Sequence, residues 1–167
     1  RQSFPVWILL PLVAVLASGL YYFLGAAPDV LIAGKLQHMR NDTPPQEMRG
    51  IISDVEARSG QRPGNLHYIA LLARYYMGLE DYARAAQRYI ALAEAVPEDA
   101  QVLAYAAQAE YLAAGRSLSD SARVRAEQAL AADPQQRTAL GLWGMAAFEH
   151  QQDRAALEYW QRLLVME

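Results

Sequence analysis

Residues 63–97 read PGNLHYIALLARYYMGLEDYARAAQRYIALAEAVP. Ile69, Leu72, Ala73 and Tyr76 recur at helical spacing, residues 78–82 (GLEDY) break the run, and Ala85, Tyr89 and Leu92 resume it. Pro63 and Pro97 bracket the stretch, 34 residues apart. A period of this length predicts helical hairpins that bury their apolar faces only by stacking on one another. Small residues such as Ala73 and Ala85 let the two helices of a hairpin approach closely. Large ones such as Tyr76 and Tyr89 fill the space between hairpins. Such an array offers an extended binding surface rather than a catalytic constellation.

The order Ile69-x2-Leu72-Ala73-x2-Tyr76, Ala85-x3-Tyr89, Pro97 resembles the tetratricopeptide repeat (TPR) pattern. Two further units follow. Pro97 to Pro134 is 37 residues, three more than the period. Leu103, Ala106 and Ala107 occupy the first-helix positions, and Ala122, Ala126 and Ala129 the second-helix positions. The extra residues are placed in the turn at 115–120, with Ser119 or Asp120 as helix cap. Glu110 falls where an aromatic is usual, with Tyr111 beside it. In the third unit Leu140-x2-Trp143-Gly144-x2-Ala147 and Ala156-x3-Trp160 keep the pattern. The chain ends without a polar capping helix, from which a C-terminal continuation is expected.

Upstream, Met48, Ile51, Ile52 and Val55 mark a lone helix over 46–60 that packs on the first repeat. The tandem prolines Pro44 and Pro45 set a boundary before it. Residues 25–45 read as a stalk, with a short amphipathic helix possible over 29–40. Residues 4–24 (FPVWILLPLVAVLASGLYYFL) carry no charge, and about 20 such residues cross a bilayer. The apolar run exceeds that of a cleaved signal peptide. Trp7 and Tyr21–Tyr22 sit where interfacial aromatics belong, and Pro11 is tolerable in a membrane helix. Arg1 before the span and Asp29 after it favour a cytoplasmic flank at residues 1–3, with the repeats facing the periplasm or the cell exterior. Arg1 is not an initiator residue, so a fragment or processed chain is expected. The expected fold is therefore all-α: a TPR solenoid of about three repeats plus a lone helix over 46–167, behind one transmembrane helix.

Net charge is −3 and pI about 5.6, which gives no basic surface for nucleic acid. The absence of cysteine excludes disulfides, thiolate metal sites and thiol exchange by this chain. His38, His67 and His150 share no i, i+4 spacing and no HExxH. Phosphate-loop and nucleophile-elbow motifs are missing. Arg116, Arg123 and Arg125 read as a solvated helix face, and Trp143, Phe148, Tyr159 and Trp160 mainly as core. No catalytic residue, metal ligand or cofactor is expected.

The binding candidates follow from the architecture. First helices line the concave side of such arrays, and side chains turned away from the partner helix face the groove. These are His67, Leu71, Arg74 and Met77 in the first repeat. They are Gln101, Gln108 and Tyr111 in the second, and Thr138, Met145 and Phe148 in the third. Methionine adapts its shape, aromatics give area and amides offer both hydrogen-bond polarities, which suits a helical or extended peptide.

Several segments are more specific. Gly115-Arg116-Ser117-Leu118 forms a long second-repeat turn, and Glu127-Gln128-Ala129-Leu130 leads to Asp133-Pro134. Residues 139–149 read ALGLWGMAAFE and residues 159–164 YWQRLL. Together with the rest of 46–167 they resemble the cytochrome c maturation TPR proteins called CcmI or CycH, and the related NrfG. The resemblance implies a chaperone anchored in the bacterial inner membrane with its repeats in the periplasm. It implies that apocytochrome c, through its C-terminal helical region, is held in the groove and presented to the membrane proteins of the haem ligation complex. Members of the family usually carry two membrane helices, so a chain cut before the second is expected. The competing reading is a general cell-envelope TPR adaptor for a secretion, pilus or other membrane assembly.

Overall fold

A computed structural model describes residues 11, 13–19, 26–38 and 44–165. Every regular element among them is helical. Within the expected membrane span, residues 11 and 13–19 are helical and the remainder of 4–24 lies outside the described residues, as do residues 1–3. No helix among the described residues is long and apolar enough to cross a membrane. The chain divides into two compact units, Arg1–Arg62 and Pro63–Glu167.

In the first unit α1 (Ala26–His38) packs on α2 (Pro45–Gln61). The stretch read as a stalk thus contains a 13-residue helix. Pro45 stands at the start of α2, where its fixed φ suits a helix and its missing N–H leaves no bond unmade. Ile51, Ile52 and Val55 are buried, as the spacing predicts. Asp29 joins the two helices electrostatically. It accepts from Arg58 Nε at 2.7 Å and Arg58 Nη2 at 3.1 Å, and Arg62 lies 3.0 Å away. Arg58 is itself buried, so its charge requires this pairing.

The second unit contains three hairpins: α3 (Leu66–Gly78) with α4 (Tyr82–Ala95), α5 (Ala100–Ala113) with α6 (Asp120–Ala132), and α7 (Arg137–Glu149) with α8 (Asp153–Leu164). Each helix packs on the next along the chain, and α5 also lies directly against α7. The boundaries are set chemically. Asn65, Asp81, Asp99, Ser119 and Gln136 cap α3 to α7, each accepting a backbone N–H of the first turn. Ser119 rather than Asp120 is the α6 cap. Buried alanines line the helix contacts, among them Ala73, Ala85, Ala107 and Ala122. At Gly144 the helices of the third hairpin meet closely, and a Cβ there would overlap the Trp160 indole.

The hairpin turns give a structural register. Tyr76, Tyr111 and Ala147 each offer their carbonyl to the backbone N–H five residues on, at 3.0, 2.9 and 2.9 Å. Glu80, Gly115 and Gln151, just before those donors, have φ of 59°, 66° and 57°. These three turns are therefore equivalent, and Tyr111 is the counterpart of Tyr76. Tyr76 precedes Ala85 by 9 residues and Ala147 precedes Ala156 by 9, whereas Tyr111 precedes Ala122 by 11. Of the three extra residues, two enter the turn and one lies in α5, not all three in the turn as expected. One added helical residue rotates everything after it by about 100°. Tyr111 is thereby carried into the core at 1% exposure, beside Ala107, Ala122, Ala126 and Leu142.

Candidate partner-binding face

Three first helices, α3, α5 and α7, carry the side chains singled out in the sequence. His67 and Arg74 are exposed on α3, while Leu71 and Met77 are half-buried. On α5 Gln101 is exposed and Gln108 half-buried. On α7 Thr138 is half-buried, Met145 is uncovered, and Phe148 is 60% exposed. The direct packing of α5 on α7 brings the second and third sets onto neighbouring helices. Phe148 rests against Trp160 with ring centroids 5.9 Å apart, so its uncovered ring is held from behind. The recesses of the second unit lie elsewhere. One of about 620 Å³ is bounded by Pro134, Glu158, Arg162 and Val165, and one of about 360 Å³ by Arg123, Trp143 and Tyr159. The candidate side chains line none of these recesses and lie on open surface, the form that suits an elongated ligand rather than a small molecule.

Tyr105 was missed by sequence reasoning and links this face together. Its hydroxyl accepts from Gln101 Nε2 at 3.0 Å, and its ring lies 5.6 Å from that of Tyr89. Burial raises the pKa of the Tyr89 phenol above its ordinary value, Tyr105 adds to the rise, and nearby Arg74 opposes it. Arg74, Tyr89, Tyr105 and Gln101 thus form a polar and aromatic strip across α3, α4 and α5. The signal available was the i, i+4 spacing of Gln101 and Tyr105.

No family model matches the chain. The cytochrome c-type biogenesis protein CycH of Pseudomonas aeruginosa is 33% identical over 157 residues, covering 94% of this chain and 37% of that protein. The formate-dependent nitrite reductase complex subunit NrfG of Escherichia coli O157:H7 is 27% identical over 128 residues, covering 77% of this chain and 63% of that protein. These relatives assign the chain to the cytochrome c biogenesis TPR family. The chain spans little more than a third of the CycH relative's length. Two MamA structures share the fold, with TM-scores of 0.61 and 0.58 at 16% identity. The first covers 95% of this chain and 98% of its own, the second 90% and 92%.

In this cytochrome c biogenesis TPR chain Tyr111 does not join the face. It is buried, and its hydroxyl donates to Glu149 Oε1 at 2.6 Å, tying α5 to α7. Burial, with the neighbouring Glu149 carboxylate, pushes its pKa up to about 12. The residue before it takes a different part. Glu110 accepts from Arg125 Nη1 at 2.6 Å and from Ser121 Oγ at 2.8 Å, adding a charged link across the α5–α6 hairpin. Arg125 is accordingly no free member of a solvated basic face, and Phe148, expected mainly in the core, is mostly exposed. Among the described residues no three His, Asp or Glu side chains converge as a metal site.

Proposed function

We propose that this chain is a non-enzymatic, membrane-anchored holder of apocytochrome c in cytochrome c maturation. Residues 4–24 cross the inner membrane once, residues 1–3 stay in the cytoplasm, and residues 46–167 work in the periplasm. The C-terminal helical region of the apocytochrome lies along α3, α5 and α7 and is handed on to the membrane proteins of the haem ligation complex. His67, Leu71, Arg74 and Met77 contact one end of it, Gln101 and Gln108 the middle, and Thr138, Met145 and Phe148 the other end. The observation that carries this reading is the uncovered Phe148 on α7, which packs directly against α5, in a relative of CycH.

The mechanism is non-covalent. An unfolded client exposes the apolar side of a helix that the mature cytochrome packs away. Phe148, Met145 and Met77 cover that side, and Arg74 pairs with client carboxylates. Interface energy concentrates in arginine and aromatic anchors. Replacing Arg74 and Phe148 together by alanine is therefore expected to weaken apocytochrome binding at least tenfold, about 1.4 kcal/mol, with helicity unchanged. Titration calorimetry of the full chain in detergent micelles with apocytochrome and holocytochrome measures it. Equal affinity of wild type and double variant for apocytochrome, or equal affinity of wild type for apo and holo forms, sinks the reading.

A further inference from the structure

Ala147 and Ala155 are among the residues that line the 360 Å³ recess in the third hairpin. In the first hairpin Tyr76 fills the corresponding space, and Arg84 on the facing helix lies 4.4 Å from the centre of its ring. Asp81 completes that group, 2.6 Å from the Arg84 guanidinium. By the turn register, the counterpart of Tyr76 is Ala147, and that of Arg84, eight residues on, is Ala155. Both alanines line the recess. The ring and the cation of the first hairpin are thus both missing from the third.

What surrounds the vacated space is suited to receive their like. Trp143 and Tyr159 stack at 6.2 Å and 21° and form an aromatic wall. Arg123, from α6, lies 5.5 Å from the centre of the Trp143 ring and makes no ion pair among the described residues. His150 borders the same opening, and none of the lining side chains is acidic. The neighbouring recesses differ: Glu158 borders the one near Pro134, and Asp153 and Glu158 the one at the start of α8. In a chain of net charge −3, an acid-free aromatic pocket with an unpaired arginine fits an anionic ligand with a flat apolar part.

We propose that this pocket, separate from the α3–α5–α7 face, binds an aromatic side chain of a partner polypeptide together with an adjacent acidic residue. The ring takes the volume left by Ala147 and Ala155 against Trp143 and Tyr159. The carboxylate meets Arg123, so that the partner's ring and carboxylate complete with Arg123 the trio that Tyr76, Arg84 and Asp81 form within the first hairpin.

The test uses the full chain in detergent micelles and three blocked dipeptides: acetyl-Asp-Phe-amide, acetyl-Asn-Phe-amide and acetyl-Asp-Ala-amide. Nitrogen–proton NMR follows the Trp143 indole and the amides of Leu118, Ala147 and His150. Acetyl-Asp-Phe-amide should perturb these signals and bind about fivefold more tightly than either control. Arg123→Gln should erase the preference for Asp over Asn while leaving acetyl-Asn-Phe-amide unaffected. Ala147→Tyr, which refills the space, should abolish binding of all three. If Ala147→Tyr does not fold, Arg123→Gln decides alone. No perturbation up to about 10 mM, the range expected for so small a ligand, overturns the proposal. So does equal binding of the Asp and Asn peptides, or unchanged binding to folded Ala147→Tyr.

Discussion

The first and third hairpins of the second unit follow one pattern with opposite distributions of bulk. In α3–α4 the helix contact has Ala73 beside a large Tyr76, and Tyr76 is buried to 2% exposure under Arg84. In α7–α8 Gly144 admits the Trp160 indole into the contact, and Ala147 leaves a recess where Tyr76 would stand. The pair teaches that a repeat pattern fixes where helices meet but not which position carries the volume. Moving the bulk from the first helix to Trp160 preserves the hairpin and opens its side.

Removing the ring that closes the first hairpin should have the largest effect. Tyr76→Ala deletes a buried aromatic, and such truncations cost about 3–5 kcal/mol. Chemical unfolding of the full chain in micelles, followed by helical circular dichroism, checks it. A loss below about 1 kcal/mol would mean that the first hairpin collapses around the smaller side chain instead of keeping a recess as the third does beside Ala147.

Next comes the reverse test at the third hairpin. Gly144→Leu forces a side chain into the space of the Trp160 indole, and overpacking of this kind costs about 1–3 kcal/mol. Gly144→Ala should be destabilising too, and Trp160→Leu in the same chain should restore much of the loss. An unchanged melting temperature in Gly144→Leu would show that Trp160 is not held at the contact. Ala73→Gly in the first hairpin, which only removes a methyl and loosens the helix, should cost about 1 kcal/mol.

The smallest effect separates two equivalent tyrosines. Tyr76 Oη is buried without a hydrogen-bond partner, so Tyr76→Phe should be neutral or stabilising. Tyr111 donates to Glu149, so Tyr111→Phe should cost about 1 kcal/mol at neutral pH. Tyr111 also responds to pH. The Tyr111 phenol keeps its proton in the folded state up to about 12, against 10.0 for the ordinary group. Its stabilising contribution is full below pH 10 and is lost as pH rises toward 12, because only the unfolded chain ionises there. Urea midpoints at several pH values across this window should fall less steeply in Tyr111→Phe than in wild type. Identical slopes would remove the Tyr111–Glu149 bond from the account of how α5 is tied to α7.

Much of this was legible in the residues. Apolar spacing located the hairpins, Ser119 or Asp120 marked the start of one helix, and the alanines marked close approaches. The exposure of His67, Arg74 and Gln101 needs only the helix period. Tyr111 did not follow, because an extra residue in α5 and extra residues in the turn give the same sequence length. They differ by a rotation of about 100°, which only the packing of α5 on α6 and α7 resolves.

By itself, then, the sequence determined an all-helical repeat chain, its period and its kinship with CycH. Those rest on local periodicity and on the matching of one chain to another. Tertiary structure alone decided that Tyr111 is core while Phe148 is surface. It paired Glu110 with Arg125, and it left open the space beside Ala147. Each of these depends on what a neighbouring helix places within a few ångströms, and a linear pattern records the size of a residue but not the neighbour that fills or vacates the space beside it.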